Sequence, residues 1–160
     1  MLRVLHLTDP HLFADTGGAL RGTTTYASLE AVLQDYRAGD WRADLALVTG
    51  DLVQDDSAGA YTHFRAKLET LGLPVLCLPG NHDVRPLMQE ALAEPPFQYC
   101  GSYEIGNWLI VCLDSVVDDV AGGRLEAREL DRLDAEIARS DAGHVLVALH
   151  HPLLPMDSEW

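Results

Sequence analysis

Four short polar motifs follow four apolar runs along this chain, and their order constrains the fold more than any other feature. The runs cover residues 4–7, 45–48, 75–78 and 145–149, and the motifs behind them are Asp9-Pro10-His11, Gly50-Asp51, Gly80-Asn81-His82-Asp83 and His150-His151-Pro152. Short apolar runs are consistent with buried strands, and strands that end on the same side of a sheet bring the following loops together. Carboxylate, imidazole and amide groups bind divalent metal ions. The sequence therefore predicts a metal-dependent hydrolase with its site at the strand ends.

The length and charge of the chain restrict the classes of protein that it fits. With 160 residues, we expect a single domain over residues 1–160. The formal charge is -14, and so acidic a surface repels polyphosphate backbones, which argues against a nucleic acid polymer as partner. No apolar stretch approaches the roughly 20 residues of a membrane span, and the N-terminal residues lack the pattern of a signal peptide. We expect a cytoplasmic protein with no membrane partner.

The cysteines do not indicate a disulfide framework. Cys77, Cys100 and Cys112 are odd in number, and Cys77 and Cys112 lie inside apolar runs. We interpret them as reduced thiols. No two of them have the C-x-x-C spacing of a metal site.

Strand-like and helical patterns alternate along the chain, which is typical of an α/β domain. The last helical pattern covers about residues 126–140, and its apolar stripe of Leu130, Leu133 and Ile137 is expected to be buried. The runs Tyr99–Ile105 and Trp108–Leu113 are adjacent strand-like segments that predict a hairpin. The predicted sheets are therefore mixed rather than purely parallel.

Asp9, His11 and Asp51 are the first candidate metal ligands. Asp9 and His11 are two positions apart on an extended segment, so both side chains can point to one side, and Pro10 restricts the backbone between them. A carboxylate and an imidazole that converge make half of a site for manganese, iron or zinc. Asp51 follows Gly50, which permits a tight turn, and its two oxygens can bridge two ions held about 3.5–4 Å apart.

The Gly80-Asn81-His82-Asp83 motif adds a neutral oxygen ligand and a further imidazole. Consecutive side chains diverge, so Asn81 and His82 are not expected to bind the same ion. His82 is then left to face the substrate, where it could donate a hydrogen bond to a phosphoryl oxygen or protonate the leaving oxygen. Asp83, or another carboxylate, is expected to hold the tautomer of His82. We therefore place Asn81 and His82 in substrate binding, and His82 and Asp83 in catalysis.

The histidines outside these motifs are interpreted as structural. One imidazole of the His150-His151 pair is expected to be a metal ligand, and the spacing leaves the choice between the two open. His6 lies within the first strand-like run, His63 on a helical pattern, and His144 just before the last run.

Together these motifs resemble those of the calcineurin-like metallophosphoesterase superfamily, which carries D-x-H, G-D, G-N-H-D/E and then a histidine at a strand end. Within it, the chain is most similar to the bacterial class III 3',5'-cyclic AMP phosphodiesterases. Further cues are Leu12-Phe13-Ala14, Gly22 with Thr25, Leu52, Gln54-Asp55, Ala60-Tyr61 and Leu113-Asp114-Ser115. The resemblance runs from Leu2 to Trp160.

The resemblance implies a fold and a ligand set. The fold would be an α/β structure, a mixed two-sheet sandwich flanked by helices in four layers, with a dinuclear site at the strand exits. Asp9 and His11 would bind the first ion, Asp51 would bridge both ions, and Asn81 and His150 would bind the second.

It also implies a reaction. His82 would contact the scissile phosphate, and His150 rather than His151 would be the ligand because the family's histidine lies two residues before the proline, here Pro152. The expected reaction is hydrolysis of 3',5'-cyclic AMP to 5'-AMP by in-line attack of a metal-bound hydroxide. The cofactors would be two divalent ions, with iron and manganese favoured and zinc or magnesium as alternatives. The substrate would be a small cyclic nucleotide.

One part of the family pattern has no counterpart here. The superfamily completes its site with a later Gly-His-x-His motif, and the residues between His151 and Trp160 contain none. We therefore interpret the chain as the N-terminal portion of such an enzyme, with three protein ligands for each ion and weakened metal binding. Apolar surface left uncovered is expected to cause self-association.

The sequence leaves two alternatives to a cyclic AMP phosphodiesterase. The motifs bind the phosphate and not the rest of the substrate, so a broader phosphoesterase for glycerophosphodiesters or phosphomonoesters fits them as well. A catalytically incomplete fragment that acts only in binding would keep the same fold. Clustered carboxylates and imidazoles are costly without a metal ion, which speaks against a pure binding module.

Overall fold

The computed structural model describes residues 1–154 of the chain. Within that range the helices are α1 (Thr25–Ala38), α2 (Ala58–Glu69), α3 (Arg85–Ala91) and α4 (Ala127–Arg139). The strands are β1 (Val4–Leu7), β2 (Ala19–Leu20), β3 (Thr23–Thr24), β4 (Leu45–Thr49), β5 (Val75–Leu78), β6 (Phe97–Tyr99), β7 (Gly101–Ile105), β8 (Trp108–Cys112), β9 (Val116–Val117), β10 (Val120–Gly123) and β11 (His144–Ala148). None of the helices in this range is long and apolar enough to cross a membrane.

The first main sheet is parallel throughout and has the strand order β1-β4-β5-β6. Its register places Leu5 opposite Ala46 and Val48 opposite Cys77. Helices α1, α2 and α3 each connect one strand to its neighbour. Because such crossovers are right-handed and here step in one direction, the three helices lie on one face. Because the strands are parallel, β1, β4 and β5 end at the same edge of the sheet.

The second main sheet has the order β11-β8-β7 and is mixed. β7 and β8 form an antiparallel hairpin that turns at Gly106, which adopts a φ of 58°. β11 pairs with β8 in parallel, from His144 beside Trp108 to Ala148 beside Cys112. The prediction of a hairpin in a mixed sheet is confirmed.

Three apolar clusters separate four layers. On β4, Ala46 and Val48 face α1, α2 and α3, whereas Leu45 and Leu47 face the second sheet. The second cluster lies between the two sheets, and the third lies between the outer face of β8 and α4. This alternation follows from the period of two along a strand that is covered on both faces. The expected four-layer α/β sandwich of two sheets flanked by helices is thus the observed architecture.

The first strand of the hairpin begins later than expected. The sequence predicts one strand over Tyr99–Ile105, but the chain breaks at Cys100, which adopts a φ of 49°, and Gly101, which adopts a φ of 82°. Tyr99 belongs to the first sheet and Ser102 to the second. The two positive-φ residues turn the chain between the sheets, and glycine adopts such a conformation at low cost.

Helix α4 buries less of its apolar stripe than the sequence predicts. Leu133 packs into the third cluster, but Leu130 is 45% exposed and Ile137 is 42% exposed. The helix is held against β8 by polar contacts, since Arg132 donates to the Cys112 carbonyl at 2.8 Å and Glu129 accepts from Asp114 N–H at 3.0 Å. The expectation of a fully buried stripe was therefore wrong.

Candidate metal centre

Asp51 lies at the centre of the polar side chains that gather at the strand ends. It follows β4 directly, is 4% exposed and adopts a φ of 53°. Its Oδ2 is 3.7 Å from His11 Nε2 and 3.6 Å from His150 Nε2, and its Oδ1 accepts a hydrogen bond from the His82 N–H at 2.9 Å. Residues from three loops therefore meet at one carboxylate.

Two glycines make room for the Asp51 carboxylate and the neighbouring His150 ring. A Cβ on Gly80 would lie 2.1 Å from Asp51 Oδ1, and a Cβ on Gly50 would lie 2.5 Å from His150 Nδ1. Neither distance is compatible with a side chain. The glycines of both motifs thus serve the close approach of the two loops as well as the turn.

Asp9 and His11 are carried by the loop after β1, which is tied to the loop after β4. Asp9 N–H donates to the Gly50 carbonyl at 3.1 Å, and His11 N–H donates to the Asp51 carbonyl at 3.0 Å. Asp9 and His11 adopt φ values of 53° and 43°, a region that costs energy for residues other than glycine. Asp9 Oδ1 lies 3.6 Å from His11 Nε2. The two side chains converge, but the segment is not extended as the spacing argument assumed, because both residues have left-handed backbone conformations.

The structure brings His150, and not His151, to Asp51. His150 Nδ1 lies 2.8 Å from the Thr49 carbonyl, to which it can only donate, so His150 Nε2 is the nitrogen left to bind a metal ion. His151 points away, with Nδ1 2.8 Å from the Ser115 hydroxyl, and is 8% exposed. Burial, followed by the neighbouring imidazole of His150, lowers the pKa of His151.

Asn81 and His82 follow β5 and line a groove of about 940 Å³ beside Asp51. A ring nitrogen of His82 lies within 4.8 Å of donor atoms of His11 and Asp51. The rings of His11 and His82 meet edge to face, with centroids 5.1 Å apart. His82 therefore borders both the candidate metal centre and the groove, where Arg85 is also found.

Asp83 is placed differently from the expectation that it orients His82. Its carboxylate accepts hydrogen bonds from Leu52 N–H at 3.1 Å, Gly80 N–H at 2.9 Å and the Tyr61 hydroxyl at 3.0 Å. Burial is the main reason that the pKa of Asp83 is raised to about 6, and the charge of Asp51 adds to it, while the hydrogen bonds oppose the rise. Asp83 thus links the loops after β4 and β5, because its backbone turns it inward while His82 faces the groove.

Gln54, Tyr61 and Ser115 are polar neighbours of the site that the sequence indicated only as cues of the family resemblance, without a role at the site. Gln54 Nε2 lies 3.3 Å from His82 Nδ1, and the buried Ser115 hydroxyl contacts the His151 ring. The helical period of the sequence places Tyr61 only on the apolar face of its helix. Gln54 lies three residues after Asp51, and Ser115 lies two residues after the end of the predicted strand Trp108–Leu113, and this position after a strand is the signal that could have assigned them to the site.

This arrangement fits a pair of metal ions. The 3.6–3.7 Å contacts of Asp51 Oδ2 with the two imidazoles are too long for hydrogen bonds. They match the separation of two ligand atoms that bind the same cation, each at about 2.0–2.2 Å from it. Two sets of donors share Asp51, namely Asp9, Asp51 and His150, and His11, Asp51 and His82. Oxygen and imidazole donors of this kind suit manganese, iron or zinc.

Comparison with known proteins identifies relatives along the whole chain. The sequence profile of the family described as calcineurin-like phosphoesterase matches residues 2–160. The chain is 38% identical to the 3',5'-cyclic adenosine monophosphate phosphodiesterase CpdA of Haemophilus influenzae. The alignment runs over 161 residues and covers 100% of this chain and 59% of that protein. The chain is 39% identical to the CpdA of Escherichia coli strain K12, covering 99% of this chain and 58% of that protein. The chain thus spans less than two thirds of the length of these relatives.

A solved structure supports the fold. The crystal structure of TT1561 of Thermus thermophilus superposes with a TM-score of 0.63 at 18% sequence identity, over 92% of this chain and 68% of that one. At this identity the likeness concerns the fold alone.

Proposed function

This chain belongs to the calcineurin-like phosphoesterase family, and from that membership we propose that it acts as a metal-dependent phosphodiesterase on 3',5'-cyclic AMP, yielding 5'-AMP. The observation that carries the proposal is the position of Asp51 Oδ2, at 3.7 Å from His11 Nε2 and 3.6 Å from His150 Nε2. A buried carboxylate between two imidazoles on different loops is suited to bridging two ions. The choice of substrate is supported by the CpdA relatives, whose names give that activity.

The ligands divide between the two ions as follows in this proposal. Asp51 serves both ions, His11 the first and His150 the second. Asp9 lies 3.6 Å from His11 and also belongs to the set with His150, and we assign it to the first ion. Asn81 supplies an amide oxygen to the second. When bound, the ions would polarise the phosphoryl oxygens and supply a nucleophile at neutral pH, and manganese or iron suits these donors best.

The side chains around the groove have separate tasks. His82, at the boundary between metal centre and groove, contacts the phosphate, and Asn81 lies beside it. The groove of about 940 Å³ is large enough for the nucleoside part of the substrate. Its carboxylates include Asp114 and Asp118, which pair with Arg85. Such a lining suits an uncharged base and ribose better than a second phosphate. The free thiols and acidic charge fit a cytoplasmic protein.

The test is hydrolysis of 3',5'-cyclic AMP by the purified chain with added Mn²⁺, followed by chromatography of 5'-AMP. Asp51→Asn is expected to abolish turnover, whereas Asp131→Asn, the same change at an exposed position of α4, should retain it. Circular dichroism of each variant shows whether it folds. A folded chain that binds Mn²⁺ and shows no turnover of cyclic AMP would contradict the proposal.

A further inference from the structure

Gln54 makes a side-chain contact that bears on how His82 would act. Gln54 Nε2 lies 3.3 Å from His82 Nδ1, within hydrogen-bond reach, although 28 residues separate the two. The amide nitrogen of glutamine carries two N–H donors and does not accept hydrogen bonds. In this contact His82 Nδ1 must therefore accept, so the single proton of the neutral ring is on Nε2.

Both partners of this contact are held by their own backbone. Gln54 N–H donates to the Leu12 carbonyl at 2.8 Å. His82 N–H donates to Asp51 Oδ1 at 2.9 Å, and the His82 ring meets that of His11 at an interplanar angle of 80°. The two side chains thus meet between loops that are fixed independently of their contact. A partner held in this way can select one tautomer of a histidine ring.

We propose that Gln54 is a positioning residue that keeps His82 in the Nε2–H tautomer, so that His82 offers a hydrogen-bond donor to a phosphoryl oxygen of the phosphodiester. This inference rests on the proposed function and deepens it, because the motif alone left His82 as either a donor or an acid. The amide of Gln54 is uncharged, and unlike a carboxylate partner it does not stabilise a protonated ring. His82 therefore stabilises the negative charge that develops on the phosphoryl oxygen by donating a hydrogen bond, and it does not transfer its proton.

The tautomer can be measured without any reaction. Long-range ¹H–¹⁵N correlation of the imidazole groups, in metal-free chain labelled at histidine, distinguishes the two neutral forms above the ordinary pKa of histidine. His82 in the wild-type chain is expected to give the Nε2–H pattern. Gln54→Glu replaces the donor by an acceptor of almost the same shape and, at a pH high enough to keep the ring neutral beside a carboxylate, is expected to convert His82 to the Nδ1–H form. Gln34→Glu, the same change on the exposed face of α1, is the matched control and should leave the pattern unchanged.

A second variant guards against misfolding of the first. Gln54→Leu keeps much of the volume but removes both polar atoms, and it is expected to give a mixture of the two tautomers. A wild-type chain with His82 in the Nδ1–H form would overturn the proposal. So would a His82 pattern that stays the same in all folded variants at position 54.

Turnover separates this inference from the proposed function. With Mn²⁺ and cyclic AMP, Gln54→Glu is expected to lose about 100-fold in kcat/KM, the order seen when one donor to a developing oxyanion is removed. Gln34→Glu should keep the wild-type value. A wild-type chain without turnover would count against the proposed function, whereas the tautomer of His82 would still decide the role of Gln54.

Discussion

The hydroxyl of Tyr61 donates a hydrogen bond of 3.0 Å to the buried carboxylate of Asp83. The same hydroxyl accepts from Val84 N–H at 2.9 Å, while Asp83 accepts from the N–H groups of Leu52 and Gly80. Helix α2, the loop after β4 and the loop after β5 are thereby joined. The relative position of Asp51 and His82 depends on this junction.

Tyr61→Phe removes the hydroxyl and leaves Val84 N–H without its partner. A buried polar group left unpaired costs about 1–3 kcal/mol, so the free energy of unfolding should fall by that order. Urea unfolding measures the change. Tyr103→Phe is the matched control, because Tyr103 packs between the sheets and is only partly buried. An equally small loss in both variants would contradict a role for the Tyr61 hydroxyl.

The two sets of metal donors predict different effects of Asp51 and His150. Asp51→Asn alters the group that the sets share, so Mn²⁺ binding should be lost at both positions. His150→Ala should weaken Mn²⁺ binding at only one of the two positions. The affinity there should fall by about 10–100-fold or more, since loss of a group that merely contacts a ligand already costs that much. Calorimetric titration of metal-free chain gives the stoichiometry, with exposed His144→Ala as control. Two tight ions in His150→Ala would refute the assignment of this imidazole.

Gly80→Ala tests the close approach of the two loops. Its Cβ would lie 2.1 Å from Asp51 Oδ1 and 2.5 Å from Asp51 N, so the carboxylate must move. We expect loss of Mn²⁺ binding and a decrease of about 1–3 kcal/mol in the free energy of unfolding, as for other overpacked sites. Gly39→Ala is the control, because the nearest atom to its Cβ is 3.7 Å away. Similar Mn²⁺ affinity in both variants would contradict this prediction, because it would show that the loop can shift without displacing the Asp51 carboxylate.

Glu129 predicts a pH dependence away from the metal centre. Burial alone would raise the pKa of its carboxyl, but the hydrogen bonds from Arg132 and from Asp114 N–H outweigh burial and lower that pKa below 4.5. A carboxyl with a lower pKa in the folded chain stabilises the fold above its unfolded pKa, and this stability is lost as the pH falls through the folded value. Glu129→Gln should therefore lower the free energy of unfolding by about 1 kcal/mol at neutral pH.

The same difference should shrink as the pH falls below 4.5, the ordinary value for this carboxyl. Urea unfolding of wild-type and variant chains over a pH series measures it. Glu126→Gln, at a more exposed carboxyl on the same helix end, should show a smaller and flatter difference. A Glu129→Gln effect that is constant with pH would show that the pKa is not lowered in the fold.

Much of the fold follows from local sequence patterns. The β4 run from Leu45 to Val48 is apolar at every position, as a strand covered on both faces requires, and its polar continuation Gly50-Asp51 marks the strand end. At β1, β5 and β11 a short and mostly apolar run is likewise followed by polar residues, which identifies the loops that meet, although Val145 and Val147 of β11 are each 40% exposed. The convergence of Asp9, His11, Asp51, His82 and His150 could be predicted for that reason.

The supporting contacts could not be predicted in the same way. Gln54 and His82 are 28 residues apart, Tyr61 and Asp83 are 22 apart, and Ser115 and His151 are 36 apart. No local periodicity encodes such pairs, because they arise only when separate loops are packed against each other. For Leu130 and Ile137 the helical period was right, but how far α4 is covered depends on its contacts with β8.

The hydrogen bond between His150 and Thr49 joins positions 101 residues apart, so the candidate metal centre closes a long stretch of the chain. Thr49 ends a strand of the first sheet, and His150 follows a strand of the second. The donors cannot be assembled until β11 has paired with β8 and the two sheets have docked. Contacts of such high sequence separation form slowly. Metal binding would therefore come late in folding, and it would stabilise the completed sandwich rather than nucleate its folding.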